Sequence, residues 1–436
     1  MRMRRDSIFG FDVALFGCSL ALLVIGVLFV YSSGDTSAGQ GISGELLKQI
    51  IWVGTGLVLM FVATFFDYTT LRRLSIYAYA AAVLLVLGTL LFGREVNGAR
   101  AWLGPAGLGV QPSEFAKIAT ILVLAAYFTG IGKTLGPLPR LLVGSAIVLL
   151  PVLIILAQPD FGTALVYLPI FLVMALLAGV PLKYLIFVVA TGGLTVVLSI
   201  LPSYERIILG KEYPVFDFLR DLSVMGLILA ACALITGLGI LGQRALKRRY
   251  FSWVVYVGVI VTLSLLGAVA FQHVMKPYQI MRFIIFLDPG VDPQGAGWNI
   301  LQSQTAVGSG GFLGKGFLAG TQSHLRYLPQ QSTDFIFSII AEEWGFWGGT
   351  LVFALFAVML LRGVRIASLA KDEFGMLVAG GVVAMLFFHG AVNVGMAMGV
   401  MPITGIPLYL LSYGGSSTWT ALVALGLLQS VYMRRY

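Results

Sequence analysis

The stretch LDPGVDPQGAGWNILQSQTAVGSGGFLGKGFLAGTQSHLRYLPQQSTDFIFSIIAEE (287–343) decides how this chain is interpreted. It is polar and rich in glycine, whereas the sequence on either side of it is strongly apolar. Loops of this length are uncommon in compact proteins and are usually functional or disordered. The aromatic residues along it, Trp298, Phe312, Phe317 and Tyr327, argue against disorder. The stretch is therefore predicted to be a folded active-site element that lies against a membrane.

The composition places the chain among integral membrane proteins. Of its 436 residues, 58% are hydrophobic and 11% are charged, and the mean hydropathy is +0.94, a balance typical of multi-span proteins. The first apolar run is too long for a signal peptide and is interpreted as a retained span. Both cysteines, Cys18 and Cys232, lie in apolar runs, which argues against a disulfide framework or a thiolate metal site. The net charge of +9 is explained by membrane topology, and no nucleic-acid partner is expected.

Apolar runs of the length that a membrane-spanning helix needs, roughly 20 residues, recur along the chain. The pattern predicts an all-α polytopic membrane protein, with about twelve spans in a single membrane domain, 1–436. The distribution of Lys and Arg predicts that both termini lie in the cytoplasm. On this topology, residues 273–333 form a large extracytoplasmic loop that bears short helices and the active site. The predicted spans are 11–32, 46–66, 74–92, 112–130, 141–158, 162–180, 184–202, 222–241, 253–272, 334–361, 375–398 and 407–432.

Glu114 and Lys117, in QPSEFAK (111–117), lie at the outer end of the fourth predicted span. Ionisable side chains within spans are costly and are functional candidates by default. Their i,i+3 spacing places both on one face of a helix, where they can neutralise each other. They form either a structural ion pair that fixes helix packing or the lining of a polar cavity open to the outside, and the sequence leaves both open.

Asp160, in QPDFGT (158–163), lies between the fifth and sixth predicted spans, where the chain turns at the outer membrane face. An aspartate at that position is a candidate helix N-cap, since it accepts hydrogen bonds from backbone N–H groups. It is also a candidate substrate-binding or catalytic residue, and the two roles are compatible.

Asp292, in VDPQGAGW (291–298), is the favoured catalytic residue. Asp-Pro followed by glycine is ordinary turn chemistry, but this turn lies at the edge of an apolar protein among aromatic and basic neighbours. Partial removal of the carboxylate from water there would suit it to act as a general base. Asp288, four residues earlier, is the competing candidate.

Three cations in or beside the loop, Arg282, Lys315 and Arg326, are candidates for holding a phosphate group or for anchoring the loop to anionic lipid. Glu342 and Glu343 are candidate partners for these cations. The histidines have no metal-like spacing, so a histidine zinc site is not expected. A divalent cation, Mg²⁺ or Mn²⁺, held by carboxylates and a substrate diphosphate fits the sequence, which does not demand one.

Near the C-terminus, MPITGIPLYLLSYGGSST (401–418) interrupts the apolar pattern with prolines and glycines. Irregular backbone at membrane depth survives only where protein or a cavity covers it. Asn393, in the preceding predicted span, is a candidate to hydrogen-bond the freed backbone groups.

These motifs together resemble those of the SEDS family (shape, elongation, division and sporulation), the polytopic peptidoglycan glycosyltransferases. They occur in family order and cover most of the chain outside 203–252. The GTQS and PITGIPL segments are more similar to the rod-shape elongation branch than to the division branch. The resembling motifs are NGARAW (97–102), QPSEFAK (111–117), QPDFGT (158–163), the DP-x-GxGW block with QSQTAVGSGG (292–311), GKGFLAGTQS (314–323), LP-x-x-x-TDFIF with EE (328–343) and PITGIPLYLLSYGGSS (402–417).

The resemblance implies polymerisation of lipid II, an undecaprenyl-diphosphate-linked substrate, at the outer face of the bacterial cytoplasmic membrane during cell elongation. It also implies a complex with a class B penicillin-binding protein and other membrane proteins of the elongation machinery. Carried over by motif, the family's essential loop aspartate falls on Asp292 and its intramembrane carboxylate on Asp160. The family's helix pair falls on Glu114 and Lys117.

Three features depart from the family pattern. Gln330 and Ser332 replace the usual acid and histidine, which leaves a catalytic or metal role for those positions in doubt. Ala101 stands where the family often has arginine before the tryptophan. Family members typically have ten spans, so the two additional spans are predicted to come from a helical hairpin inserted at 184–252.

Two other functions fit some of these residues. A transporter that flips lipid II would use Glu114, Lys117 and Asp160 as a polar path, but it has no need of a large outside loop that carries a base. A non-catalytic scaffold for cell-wall synthases would show no activity with or without its partner.

Overall fold

Helices account for nearly all of the regular structure in the computed structural model, which describes residues 10–34, 44–96, 98–105, 109–210, 221–275, 277–295, 297–325 and 327–436. Each of the twelve predicted spans coincides with one helix of 17 residues or more. In chain order, the fifteen α-helices of the described residues are α1 (Val13–Ser33), α2 (Gly44–Phe65), α3 (Tyr68–Phe92), α4 (Pro112–Thr129), α5 (Pro137–Ala157), α6 (Phe161–Leu177), α7 (Leu182–Tyr204), α8 (Leu222–Leu246), α9 (Arg249–Val274), α10 (Pro277–Leu287), α11 (Trp298–Ser309), α12 (Thr321–His324), α13 (Ile336–Ser368), α14 (Glu373–Ala397) and α15 (Gly415–Met433).

Nine helices in the described part of the chain are long and apolar enough to cross a membrane. Helices α4, α6 and α15 lie at the remaining three predicted spans but are not among these nine. The prediction of an all-α polytopic membrane protein is confirmed, together with the short helices α10, α11 and α12 in the loop. The count of twelve spans stays a prediction.

A small β-hairpin is the one regular element in the described residues that the all-α prediction did not include. Strand β1 (Arg94–Val96) pairs antiparallel with β2 (Ala99–Trp102). Glu95 faces Arg100 across the pair, and their side chains form an exposed ion pair at 3.7 Å. Ala101, which departs from the family pattern, is buried on β2.

The chain divides into two compact units. One comprises Met1–Val180 and Gln302–Tyr436, and the other comprises Pro181–Leu301. In the second unit α9 packs against both α7 and α8. The predicted loop at 273–333 is therefore divided between the units after residue 301. The single domain over 1–436 and the inserted hairpin at 184–252 stay predictions.

Helix α14 lies among other helices of the first unit. It packs against α4, α6, α13 and α15, and it is buried over most of its length. Helices α2 and α3 instead expose many apolar side chains, as expected for surfaces that face lipid. The polar side chains of α4 and α14 are thus held inside protein.

A clamp around Asp12 joins three helices of the first unit. The Asp12 carboxylate caps α1 by accepting a hydrogen bond from Leu15 N–H at 3.0 Å. On α13, Arg362 Nε lies 3.0 and 2.8 Å from the two carboxylate oxygens. On α15, Gln429 Nε2 donates to the Asp12 carbonyl at 2.9 Å and Gln429 Oε1 accepts from Asp12 N–H at 2.8 Å. These charge-assisted and backbone contacts fix the ends of α1 and α15 beside α13.

Candidate active site

A buried ion pair lies near the N-terminal end of α4. The helix begins at Pro112, a residue suited to the first helical position because it lacks an N–H. One turn later, Lys117 Nζ lies 2.7 Å from Glu114 Oε1, and the two side chains are 0% and 3% exposed. The predicted neutralising pair is confirmed. A pair so buried persists only where further hydrogen bonds complete its shell.

Two side chains that were not predicted complete that shell. The Tyr409 hydroxyl donates to Glu114 Oε2 at 2.7 Å, and His389 Nε2 lies 3.1 Å from Lys117 Nζ. The rings of His389 and Tyr409 stack, with centroids 3.7 Å apart and an interplanar angle of 15°. Glu114, Lys117, His389 and Tyr409 are called the buried charge cluster below. A histidine within a predicted apolar span was the signal in the sequence that could have pointed to it.

The tautomer of His389 follows from its other contact. His389 Nδ1 lies 3.0 Å from the carbonyl oxygen of Pro407, and a carbonyl can only accept. The imidazole therefore carries its proton on Nδ1, and Nε2 accepts from the Lys117 ammonium. In this arrangement the imidazole is neutral.

The irregular segment between α14 and α15, residues 398–414, brings Tyr409 to the cluster. Asn393 on α14 donates through Nδ2 to the carbonyls of Ile406 and Asp334, both at 2.8 Å. The predicted role of Asn393 is therefore confirmed. The middle part of the segment, residues 406–412, is mostly buried, as expected for non-helical backbone in a membrane protein.

Asp160 links the start of α6 to the start of α4. Its Oδ1 accepts from Thr163 N–H at 3.0 Å, which confirms the predicted N-cap. Its Oδ2 accepts from Gln111 Nε2 at 2.9 Å, and Gln111 immediately precedes α4. Asp160 is near enough to act electrostatically on Lys117. The structure thus brings Asp160 together with Glu114 and Lys117, while its substrate-binding role stays a prediction.

The segment SGGFLGKG (309–316), called the glycine segment below, lies along α13. Its Lys315 and Gly316 N–H groups donate to the carbonyls of Glu342 and Glu343 at 3.0 and 2.9 Å. These carbonyls lack helical partners because α13 breaks at Gly345, where φ is 64° and ψ is −156°. The tenth predicted span, 334–361, is longer than the roughly 20 residues that a crossing needs, and the break explains this because it separates two helical stretches.

Groups of the loop donate hydrogen bonds to both carboxylates at this break, those of Glu342 and Glu343. Glu342 Oε1 accepts from Lys315 Nζ at 2.7 Å and from the N–H groups of Thr321 and Gln322 at 2.8 and 3.0 Å. Glu343 accepts from Leu318 N–H at 3.0 Å. The predicted pairing of a loop cation with Glu342 is confirmed. The observed contact of Lys315 is an ion pair that fixes the loop, and its phosphate-binding role stays a prediction.

Asp292 lies in the second unit, directly after the 3₁₀ turn Pro289–Val291. Its carbonyl accepts from the N–H groups of Gly295 and Gly297 at 3.3 and 3.0 Å, so the predicted turn is formed. The side chain is half-buried. A Cβ atom on Gly295 would collide with both carboxylate oxygens of Asp292, so only glycine allows this close approach. The catalytic role of Asp292 stays a prediction.

The remaining predicted loop residues have separate surroundings. Asp288 is exposed, and its Oδ1 accepts from Gly290 N–H at 2.9 Å. Arg282, on α10, lies with its guanidinium carbon 5.7 Å from the centroid of the Tyr278 ring. Arg326 lies outside the described residues. The phosphate-binding roles of both arginines stay predictions.

Metal-binding side chains do not cluster in the part of the chain that the structure describes. No three His, Cys, Asp or Glu side chains there lie close enough together to hold an ion. A divalent cation at this site would need oxygens from a bound substrate.

Comparison with known proteins identifies the family. The family model for FtsW, RodA and SpoVE, described as cell cycle proteins, matches residues 13–243 and 221–436. The chain belongs to this family, the SEDS family.

Among SEDS proteins, the chain is similar to the elongation branch. It is 47% identical to the peptidoglycan glycosyltransferase RodA of Treponema pallidum (strain Nichols), over 99% of this chain and 100% of that protein. It is 32% identical to the peptidoglycan glycosyltransferase MrdB of Escherichia coli (strain K12), over 95% and 92%. Three probable FtsW proteins are 28–29% identical. The predicted branch is confirmed.

Solved structures show the same SEDS architecture. A chain in a structure described as the structural coordination of polymerization and crosslinking by a peptidoglycan synthase complex is 28% identical, with a TM-score of 0.64 over 98% of both chains. The crystal structure of RodA from Thermus thermophilus has a TM-score of 0.60 over 98% of both chains, at 24% identity. The second likeness shows the fold.

Proposed function

We propose that this chain is a peptidoglycan glycosyltransferase that polymerises lipid II into glycan strands during cell elongation and shape maintenance. The observation that carries the proposal is the 47% identity to a RodA glycosyltransferase across the full length of both chains. The buried charge cluster and the folded aspartate loop supply polar groups of the kind such a reaction needs.

The proposed reaction needs few protein groups. The 4-hydroxyl of one lipid-linked sugar attacks the anomeric carbon of a second, and the bond from that carbon to undecaprenyl diphosphate breaks. Asp292 takes the hydroxyl proton, a contribution of about 10²–10⁴-fold for a positioned general base. The diphosphate leaves without protonation, so a second acid is not required.

The proposed substrate contacts fall into two groups, a polar site within the helices and cations for the diphosphate. Glu114, Lys117 and Asp160 would form the polar site within the helices. The hydrogen bonds from Lys117 to Glu114 and from Gln111 to Asp160 hold them in fixed positions before substrate arrives. Arg282 and Arg326 are assigned to the departing diphosphate. Lys315 would support that site through Glu342, which it neutralises.

The partner and the location follow from the relatives. One similar structure is that of a peptidoglycan synthase complex in which polymerization and crosslinking are coordinated. We infer that this chain likewise works with a crosslinking enzyme, a class B penicillin-binding protein, and with other membrane proteins of the elongation complex. The active loop would face outward from the cytoplasmic membrane, with both termini in the cytoplasm.

A gel assay with purified full-length protein and lipid II tests the proposal. We expect glycan strands from the wild type in the presence of its penicillin-binding protein, and loss of at least about 100-fold for Asp292→Asn. The matched control is Asp288→Asn in the same loop, because that carboxylate is exposed and occupied by Gly290.

Three outcomes would change this assignment. Polymerisation by Asp292→Asn at the wild-type rate, with loss for Asp288→Asn, would move the base to Asp288. Absence of glycan from the wild type, with and without the partner, would contradict the activity itself. Loss of activity with a chelator and its recovery with Mg²⁺ or Mn²⁺ would establish the divalent cation as a cofactor.

A further inference from the structure

A polar cavity lies at the opposite end of α4 from the buried charge cluster, within the first unit. Its volume is about 240 Å³. The wall includes the apolar side chains of Phe128, Leu177 and Met376, and the charged side chains of Lys133, Arg140 and Glu373 also line it. The cavity thus combines an apolar wall with two cations and one anion.

Arg140, which lines this cavity, has one hydrogen-bond donor, its Nε, without an acceptor in the described part of the chain. One terminal nitrogen of its guanidinium donates to the Phe128 carbonyl at 3.1 Å, and the guanidinium carbon lies 5.7 Å from the centroid of the Phe128 ring. Its Nε is buried and meets no acceptor among the described residues. A buried N–H of a charged group is rarely left unpaired. A small rotation of the guanidinium would present it to an anionic oxygen in the cavity.

Lys133 can turn to the same anion. It is paired with Glu373 at 2.5 Å, but both side chains are about half exposed, at 48% and 56%. Exposed ion pairs of this kind stabilise a protein little, so a competing anion can open them. The cavity also lies at the N-terminal ends of α5 and α14, which begin at Pro137 and Glu373. Helix N-termini favour negative charge.

We propose that this cavity binds the phosphate group of an anionic lipid headgroup, held by Arg140 and Lys133. The apolar wall favours a lipid over a soluble phosphate, because the glycerol and upper acyl chain of a lipid would cover Leu177 and Met376. Basic pockets between membrane helices are suited to such headgroups. The site is independent of the proposed glycosyl transfer, since none of its residues belongs to the buried charge cluster or to the aspartate loop.

Titration of lipid into the detergent-purified full-length chain, followed by native mass spectrometry, tests the site. We expect phosphatidylglycerol to bind in preference to phosphatidylcholine, and Arg140→Gln to weaken phosphatidylglycerol binding about 10-fold, as for the loss of one hydrogen bond to a charged group. The control is Arg365→Gln, which removes an exposed arginine of α13 outside the cavity and should leave binding unchanged.

Glu373→Gln is expected to strengthen phosphatidylglycerol binding, whereas Arg140→Gln should weaken it. This second variant keeps the proposal testable if Arg140→Gln does not fold. It frees Lys133, so phosphatidylglycerol should bind about 3- to 5-fold more tightly. Equal binding of the two lipids, or weaker binding by Glu373→Gln, would overturn the proposal. The last measurement adds inorganic phosphate as a competitor of the lipid. Competition by phosphate only at high concentration supports a lipid site, whereas tight binding of phosphate without lipid would replace the lipid with a soluble anion.

Discussion

Lys117 Nζ and His389 Nε2 lie 3.1 Å apart although 272 positions separate them in the chain. The other ring nitrogen of His389 is bound to the Pro407 carbonyl, which belongs to the irregular segment before α15. The Pro407 carbonyl therefore determines which ring nitrogen of His389 faces Lys117, a lysine that Glu114 also holds. We infer that the histidine is a positioning residue for the lysine.

Replacing His389 with phenylalanine isolates that role. The new ring can still stack on Tyr409, but Lys117 loses an acceptor, so glycan polymerisation should fall about 10-fold, the equivalent of one hydrogen bond to a charged group. The protein should remain folded in a thermal unfolding assay. His273→Phe, at an exposed histidine, is the control and should polymerise normally. Unchanged polymerisation by His389→Phe would show that the contact does not position Lys117 for the reaction.

One set of variants can decide whether the Glu114–Lys117 pair only fixes helix packing or also takes part in the reaction. Lys117→Met leaves the Glu114 carboxylate buried without its cation, which should lower the free energy of unfolding by about 3–5 kcal/mol. The double variant Glu114→Gln with Lys117→Met buries no charge and should recover most of that stability.

The double variant then separates the two interpretations of the pair. We expect it to fold and yet to lose polymerisation of lipid II, measured on the gel. A double variant with wild-type activity would show that the pair only fixes helix packing.

Gly295 controls the position of the Asp292 carboxylate. Gly295→Ala places a methyl group against both carboxylate oxygens and should displace them, lowering polymerisation by about 100-fold, the effect of a misplacement of about 1 Å in a catalytic group. Gly308→Ala, in α11 with open space around its Cβ position, is the matched control and should keep its activity. Equal activity of the two variants would argue against Asp292 as the base.

The glycine segment offers a test of loop docking. Gly314 and Gly316 both have positive φ, at 75° and 102°, but only at Gly314 would a Cβ atom meet the backbone of Glu343. Both alanine variants should lose about 1–2 kcal/mol from backbone strain, whereas Gly314→Ala should also detach the segment. Hydrogen exchange at the Lys315 and Gly316 amides measures this. Faster exchange in Gly316→Ala than in Gly314→Ala would contradict the docking described here.

The helices could be predicted because lipid imposes a length and a polarity on each span. The QPSEFAK and QPDFGT motifs also gave correct local structure, since the first residues of α4 and the cap of α6 depend on neighbours within three or four positions. The β-hairpin at 94–102 was not predicted, because strands of three and four residues leave no usable alternation.

The composition of the site depended on contacts that no local pattern contains. Tyr409 reaches Glu114 across 295 positions, and Gln111 reaches Asp160 across 49. The irregular segment that carries Tyr409 could be predicted to be buried, but its path could not. The hydropathy of the sequence also gave no sign that the loop would be divided between two units after residue 301.

The clamp at Asp12 has a consequence for the path of the whole chain. Asp12 stands at the first turn of α1 and Gln429 at the last turn of α15, and their backbone and amide groups bond each other directly. The start of α1 and the end of α15 therefore lie beside each other. We expect both to face the same side of the bilayer, which would require an even number of crossings, ten or twelve and not eleven. A reporter fused at either end should accordingly meet the same compartment.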